Sequence, residues 1–129
     1  MALQSEGRPA RRAPRPHQAV LTVEAYVRAH PHRPLPVASL SRMVGLSERG
    51  LRNAFYGVHG MSPTNWMLAG RLQRVRQALR LAASDGGSVT DVATEHGFYE
   101  LGRFSAAYKK MFGERPSDTL RTARHRAEN

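Results

Sequence analysis

The sequence predicts an all-α protein in which two helix-turn-helix subdomains are joined by one long connecting helix. Apolar residues recur at helical spacing along most of the chain, and no stretch has the strict alternation of a strand. Glycine and proline interrupt the helical pattern between these stretches. The same order of elements appears twice, because Gly97 follows Gly45 by 52 residues and Gly113 follows Gly60 by 53. These observations favour a duplicated helical unit with one residue inserted in the second copy.

Composition narrows the class of protein before any motif is considered. The chain has 129 residues, 40% of them hydrophobic, which suffices for one domain or for two very small ones that share a connection. Lysine and arginine total 20 against 10 acidic residues, so the net charge is +10 and the predicted partner is a polyanion. Nucleic acid is the first candidate and an anionic membrane surface is the second.

Other classes are excluded by what the sequence lacks. Without cysteine, the chain has no disulfide framework and no thiolate metal site, which fits a reducing compartment. No apolar run approaches the roughly 18 residues of a membrane span, and the N-terminus has no apolar signal region. We therefore expect a cytoplasmic protein with no membrane partner.

Residues 1–15 are expected to be disordered, since they combine glycine and proline with four arginines and bury nothing. Such a segment is typical of an interdomain linker, and the alternative is a basic arm that holds DNA phosphates. The first subdomain, residues 16–61, then opens with a helix whose inward stripe holds Val20, Val23 and Val27. Prolines end this helix from Pro31 onward.

The remainder of the first subdomain predicts two further helices around a tight turn. A short helix runs from about Pro36 to Val44, with Gly45 permitting the turn. Pro36 offers no side chain to cap the helix, so a loose start is expected there. Ser47 caps the next helix, which runs to Gly60.

Residues 62–82 predict the connecting helix. Ser62 as N-cap and Pro63 as first helical residue give a strong start signal, and the run SDGGS breaks the helix near Ala82. Twenty residues at about 1.5 Å each make a rod of about 30 Å. Its arginines either neutralise phosphates or form an ordinary solvated face. They are Arg71, Arg74, Arg76 and Arg80.

The second subdomain, residues 83–121, repeats the first. Ser88 and Asp91 have the spacing of a capping box, whereas Arg115 stands where a capping side chain is usual. The helix near residues 100–112 and the turn before it hold four aromatic residues at core spacing, and the charges of the helix face outward. The aromatic residues are Phe98, Phe104, Tyr108 and Phe112. A disordered tail is expected over residues 122–129.

A helix, a glycine turn and a second helix with exposed Arg, Asn and Ser form a helix-turn-helix, which sets its second helix into the DNA major groove. Two such units on a rod of about 30 Å would hold their recognition helices roughly one DNA turn, about 34 Å, apart. One chain would then read two successive grooves.

At these residues the sequence resembles the AraC/XylS family of bacterial transcription regulators. The likeness covers residues 18–121, and its most specific parts are VGLSERGLRNAF with GMSPTNWM and then VTDVATEHGFYELGRFSAAYKKMFGERPS. The resemblance implies seven helices in two subdomains that bind an asymmetric promoter site. It also implies that the chain belongs with a regulator of transcription that touches RNA polymerase. Many relatives carry an N-terminal effector or dimerisation domain, and the basic N-terminal segment favours a cut-out C-terminal part over a short stand-alone regulator.

Position by position, the resemblance implies that Arg49, Arg52 and Asn53 read bases and that Ser47 caps their helix beside a phosphate. Arginine can donate two hydrogen bonds to guanine, and asparagine can pair in the same way with adenine. These three residues form one patch opposite the apolar side. The alternative interpretation is that they are solvated polar residues on an exposed face.

The second copy departs from the family pattern. Gly102 and Ala106 stand where polar residues are usual, which weakens the case for dense base contacts. The remaining candidate base readers are Glu100, Arg103 and Ser105. The candidate phosphate contacts of the molecule are Ser47, Lys109, Lys110, Arg71 and Arg74.

No enzyme is predicted. The sequence has no P-loop, no dinucleotide-binding glycine motif and no convincing nucleophile, base and acid set, and no cofactor or metal is expected. The predicted function is therefore sequence-specific binding of double-stranded promoter DNA. Two alternatives remain open: a non-specific architectural or RNA-binding protein, and a protein-interaction module that kept the fold.

Overall fold

The structure is a computed structural model, and it describes residues 15–31 and 33–128. Within these ranges the chain is entirely helical, with seven helices and no strand, which confirms the predicted fold class. The helices are α1 (Pro16–Ala29), α2 (Val37–Val44), α3 (Glu48–His59), α4 (Pro63–Ala82), α5 (Val89–Glu95), α6 (Leu101–Phe112) and α7 (Pro116–Glu128). The predicted basic arm lies outside the described residues, except for Arg15, which is the N-cap of α1.

The chain divides into two compact units, of which the first ends at Met67 and the second begins at Leu68. The division falls inside α4, so the start of this helix belongs to the first unit and the rest to the second. Each unit has a hydrophobic cluster of its own. Each unit therefore has its own hydrophobic core, against which its helices pack.

The first unit packs α1, α2 and α3 around a small apolar cluster. Val20 and Val23 are completely buried, as the periodicity of α1 predicted. They contact residues from α2, α3 and the start of α4, with Trp66 half-buried at the edge. The buried members of this cluster are Ala19, Val20, Val23, Leu40, Leu51, Ala54, Phe55 and Met67.

A buried acidic residue also joins α1 to α3. Glu24 is 8% exposed, and its Oε2 lies 2.5 Å from Nε2 of His59 at the end of α3. The His59 ring packs against the rings of Phe55 and Trp66, with ring centroids 5.5 and 5.4 Å away. Sequence periodicity did not identify this pair, because the two residues are 35 positions apart and each is polar on its own.

The second unit is built around aromatic residues of α6. Phe104 and Tyr108 are buried, and Phe98 and Phe112 pack half-buried against them. Successive rings lie 5.0, 5.8 and 4.6 Å apart between centroids. The Tyr108 hydroxyl hydrogen-bonds Thr119 of α7 at 2.7 Å, and burial raises the pKa of that hydroxyl. The four aromatic residues are therefore structural, as predicted.

Helix starts follow the sequence signals with one exception. Ser62 accepts a hydrogen bond from the backbone N–H of Asn65, and Ser88 accepts one from that of Asp91. Pro36 precedes α2 without a side-chain cap, as predicted. The loose start predicted at Arg115 is wrong, because its backbone N–H donates to the Asp118 carboxylate at 2.9 Å. Asp118, the third residue of α7, thus supplies the reciprocal half of a capping box, because its carboxylate accepts from the backbone N–H of the N-cap residue.

The predicted disordered tail over residues 122–129 is also corrected, since α7 continues to Glu128. No glycine or proline follows Pro116, and the residues of this segment are mostly good helix formers. Arg124 donates a hydrogen bond from Nη2 to the carbonyl of Gly87 at 2.7 Å. This contact ties the second half of α7 to the loop that precedes α5.

Candidate nucleic-acid interface

Each unit contains one helix, a glycine turn and a second helix. Gly45 and Gly97 both have positive φ, at 75° and 84°, which only glycine adopts without strain. Ser47 is the N-cap of α3, whereas Glu100 is the N-cap of α6. Ser47 follows Gly45 by two positions, whereas Glu100 follows Gly97 by three, so the inserted residue of the second copy lies in this turn.

The predicted base readers of the first unit all lie on the outer side of α3. Arg49, Arg52 and Asn53 are exposed. The opposite side of the helix holds its buried residues, which are Leu51, Ala54 and Phe55. The core therefore fixes the rotation of α3, and the three polar side chains face solvent together.

Arg52 forms an ion pair within α3 in the structure. Its Nη2 donates a hydrogen bond to Oε1 of Glu48, one helical turn earlier, at 3.2 Å. Both side chains are 47% exposed, and exposed pairs of this spacing stabilise a helix by only about 0.3–0.5 kcal/mol. The cost of releasing Arg52 toward a base is therefore small.

Ser47 has the structural role that was predicted for it. Its Oγ accepts a hydrogen bond from the backbone N–H of Gly50 at 2.9 Å, which caps α3. A hydroxyl can accept and donate at once, so the O–H of Ser47 remains able to donate to a phosphate oxygen.

The second recognition helix presents fewer open polar groups. Arg103 is the most available, with its side chain 87% exposed, and it forms a long ion pair of 3.9 Å with Glu100. Glu100 has no hydrogen bond that caps α6. Ser105 is half-buried, so it is less accessible than the other predicted readers.

Lys109 and Lys110 are exposed in the last turn of α6. Positive charge at a helix C-terminus is favoured by the helix dipole, so these lysines need no acidic partner to be tolerated. Their ammonium groups extend from the end of α6 that is opposite to Arg103.

Arg71 has an intramolecular role that the sequence did not reveal. Its Nη2 donates to the carbonyl of His96 at 2.9 Å, and its guanidinium carbon lies 4.3 Å from the centre of the Phe98 ring. Burial lowers the pKa of Arg71, and the charge of Arg74 lowers it further. Burial also lowers the pKa of Arg74. Both groups stay charged at neutral pH, because the guanidinium starts from a very high pKa.

Two apolar residues beside the predicted readers were also missed. Tyr99 is 77% exposed and Leu101 is 37% exposed, on either side of Glu100 at the start of α6. Neither belongs to the half-buried group that packs against the core of the second unit. The signal available in the sequence was the pair Tyr99 and Leu101 at the start of the predicted second helix of the helix-turn-helix.

Two negative findings concern other kinds of site. Among residues 15–31 and 33–128, no group of three or more His, Asp or Glu side chains is placed to hold a metal ion. In the same ranges, no helix combines the length and apolar character required to cross a membrane.

The fold and its outward polar helices define a helix-turn-helix DNA-binding protein. A family model described as a helix-turn-helix domain matches residues 40–122. The chain belongs to the AraC/XylS family of transcription regulators and carries the DNA-binding domain of that family.

Three relatives illustrate this membership. The chain is 39% identical over 97 residues to the probable thc operon regulatory protein of Rhodococcus erythropolis, covering 75% of this chain and 29% of the relative. It is 33% identical over 99 residues to a XylDLEGF operon transcriptional activator of Pseudomonas putida, covering 77% and 31%. A crystal structure of a probable AraC family transcriptional regulator from Rhodopseudomonas palustris CGA009 has 38% identity and a TM-score of 0.74, covering 83% of this chain and 98% of that one. The chain thus spans under a third of the length of the two curated relatives.

Proposed function

We propose that the chain reads one asymmetric promoter site in double-stranded DNA, with α3 and α6 in two successive major grooves. The observation that supports this proposal is the duplication itself. Each of the two units places a recognition helix after a glycine turn, with apolar residues inward and polar residues outward. A single helix-turn-helix usually reaches a second groove by dimerising, whereas this chain holds two such units.

In the first unit, the base readers are Arg49, Arg52 and Asn53. Arginine suits guanine because two N–H groups match O6 and N7, and asparagine suits adenine because its amide matches N6 and N7. Each good pair of this kind contributes about 1–3 kcal/mol of discrimination. Because Ser47 caps the same helix, its hydroxyl lies at the end of α3 and can contact a phosphate.

In the second unit, the proposed readers are Arg103, Glu100 and Ser105. Arg103 carries most of this role, since its side chain is the most exposed of the three. Glu100 suits the amino group of cytosine, and the serine hydroxyl suits either purine or pyrimidine. The proposed phosphate contacts of this unit are Lys109, Lys110, Arg71 and Arg74. Arg71 contributes least to them, because its guanidinium already holds the turn at His96.

The regulatory context extends beyond the chain. The names of the relatives include an operon regulatory protein and transcriptional activators, which supports a contact with RNA polymerase and a partner effector or dimerisation domain. A regulator of this kind works in the bacterial cytoplasm, where the chromosome lies. The proposal assigns the chain no catalytic activity.

The test separates base reading from phosphate binding. Duplex fragments selected from a random pool would first define the preferred site. Arg52→Ala should then lose discrimination at one base pair by about 1–3 kcal/mol, while Lys109→Ala should weaken binding to all sequences alike. Binding is measured by competition between the selected fragment and random DNA at fixed salt.

Two results would contradict the proposal. A chain that selects no fragment over random DNA is an architectural binder, and one that binds no DNA at low salt is a protein-interaction module. Equal weakening of every sequence by both substitutions would show that the roles of Arg52 and Lys109 are wrongly assigned.

A further inference from the structure

We infer that Tyr99 and Leu101 contact thymine methyl groups, so that the second unit adds apolar contact to the base reading proposed for Arg103. This inference rests on the proposed function, because it requires α6 to enter a major groove. It adds the chemical class that this half-site must contain, which is thymine at one or two contacted positions.

Tyr99 and Leu101 are both exposed to solvent, although large apolar side chains are more often buried. Tyr99 is the most exposed of the large hydrophobic residues that the structure describes, at 77%, and Leu101 is 37% exposed. Tyr99 lies two residues before the first residue of α6, and Leu101 is that first residue. The N-terminal residues of a recognition helix are the ones that contact base edges. The apolar surface is therefore concentrated at the end of α6 that meets the bases.

The duplication shows that this apolar tip is peculiar to the second unit. Counted back by 53, Leu101 matches the charged Glu48 of the first copy. Tyr99 is the inserted residue, since Phe98 matches Leu46 by a shift of 52 and Glu100 matches Ser47 by a shift of 53. The first unit has no large apolar side chain at either of these places.

Two of the three polar readers of the first unit have no polar counterpart in the second. Arg49 and Asn53 match Gly102 and Ala106, which carry no hydrogen-bonding group. A Cβ added at Gly102 would meet nothing within 4 Å, so no neighbouring side chain occupies the space that Arg49 fills in the first copy. On the outer face of α6, the side chains at these two places are therefore short, whereas the matching side chains of α3 are long and polar.

The major groove offers one apolar group for such a surface, the C5 methyl of thymine. Burying one methyl group against an apolar side chain corresponds to about a fourfold gain in affinity. Tyrosine provides a broad ring for this contact and leucine two methyl groups, at little conformational cost for the ring. Cytosine at the same positions would leave these side chains against an unmethylated ring edge.

The experiment removes the methyl group without changing base pairing. Selected duplexes are first divided into half-sites, and the half that loses preference with Arg52→Ala belongs to the first unit. Each thymine of the other half is then replaced by deoxyuridine, and dissociation constants are measured by fluorescence anisotropy at one salt concentration. Wild-type protein should lose about fourfold affinity for each contacted methyl group removed.

Variants assign the contact to a residue. Leu101→Ala should bind the thymine and deoxyuridine duplexes equally at its position, and Tyr99→Ser should do so at another. Met111→Ala is the matched control, because Met111 is also 37% exposed but lies at the opposite end of α6. It should keep the full preference for thymine. Far-ultraviolet circular dichroism checks that each variant retains its helices.

The outcomes distinguish the inference from the function on which it rests. Failure of wild-type protein to select any duplex would overturn the proposed function. Selective binding that is indifferent to deoxyuridine throughout the second half-site would overturn only the methyl contact. The same holds if Leu101→Ala and Tyr99→Ser both retain the full deoxyuridine penalty, since another group must then contact the methyl.

Discussion

At the scale of single residues, Gly97 and Arg71 show how the second turn is held. Gly97 has a φ of 84°, and a Cβ built there would lie 2.7 Å from Nη2 of Arg71. The same Nη2 donates to the carbonyl of the preceding residue, His96. Glycine is therefore required at position 97 for two reasons: the backbone has a positive φ, and the Arg71 guanidinium occupies the space that a side chain would need.

We predict that Gly97→Ala destabilises the second unit by about 1–3 kcal/mol, the usual cost of a side chain in the left-handed region. Hydrogen exchange of the α5 and α6 amides measures the effect locally. Gly102→Ala is the control, because Gly102 is helical and its added Cβ has nothing within 4 Å. It should stabilise α6 slightly, by about 0.5–1 kcal/mol. Equal exchange rates in the two variants would contradict this account of the turn.

Glycine turns and serine caps could be predicted from the sequence because their causes are local. Gly45, Gly97, Ser47 and Ser88 act within a few residues of their own positions. The Arg71 contact with His96 spans 25 residues, and it depends on how α4 packs against the turn. Hydrophobic periodicity carries no information about such a contact, so Arg71 was predicted only as a phosphate contact or as part of a solvated face.

At the scale of helices, the start of α7 depends on one carboxylate. The pKa of Asp118 is held well below its usual range, chiefly by the hydrogen bonds from the Arg115 side chain. The backbone N–H of Arg115 and the side chain of Arg121 contribute in the same direction. Asp118 therefore secures the start of α7 by binding the backbone N–H and the side chain of Arg115, and it does so as an anion.

We predict that Asp118→Asn lowers the thermal midpoint at pH 7 and that the difference from wild type narrows as the pH falls below about 4. Because the folded pKa lies below the unfolded one, the stabilisation is fully present above the unfolded pKa and is lost on acidification. Asp85→Asn, in the exposed loop after α4, is the control and should change the midpoint little. A constant difference between pH 7 and pH 2 would show that the charge of Asp118 is irrelevant.

The helix boundaries illustrate where prediction from sequence ends. Proline and glycine marked the starts and stops of most helices, because these residues fix the backbone directly. The end of α7 had no such mark, and a polar, charged segment was interpreted as disordered. The helix instead continues to Glu128, and its residue Arg124 contacts Gly87, which lies 37 residues earlier in the sequence. Amphipathic pattern alone does not predict a helix held by such a contact.

At the scale of the whole molecule, charge sets affinity and the recognition helices set specificity. The net charge of +10 acts on any DNA sequence, since lysine and arginine release counterions from every phosphate they neutralise. The first unit presents the polar groups that we propose distinguish bases, while α6 has Gly102 and Ala106 at the matching places. Salt should therefore change affinity much more than it changes the preference for one sequence over another.

We predict a slope of log K against log salt of roughly −3 to −4 from the four charged phosphate contacts alone, or about a hundredfold loss of affinity between about 50 and 200 mM salt. Lys109→Ala should reduce the steepness of that slope by about 1, because one phosphate contact is lost. Arg33→Ala removes an equal charge from an exposed position between α1 and α2, outside both recognition helices, and should leave the slope nearly unchanged. The slopes are obtained from binding isotherms on the selected fragment and on random DNA. If both substitutions flatten the slope equally, overall charge rather than contact at α6 governs binding, and the assignment of Lys109 to a phosphate fails.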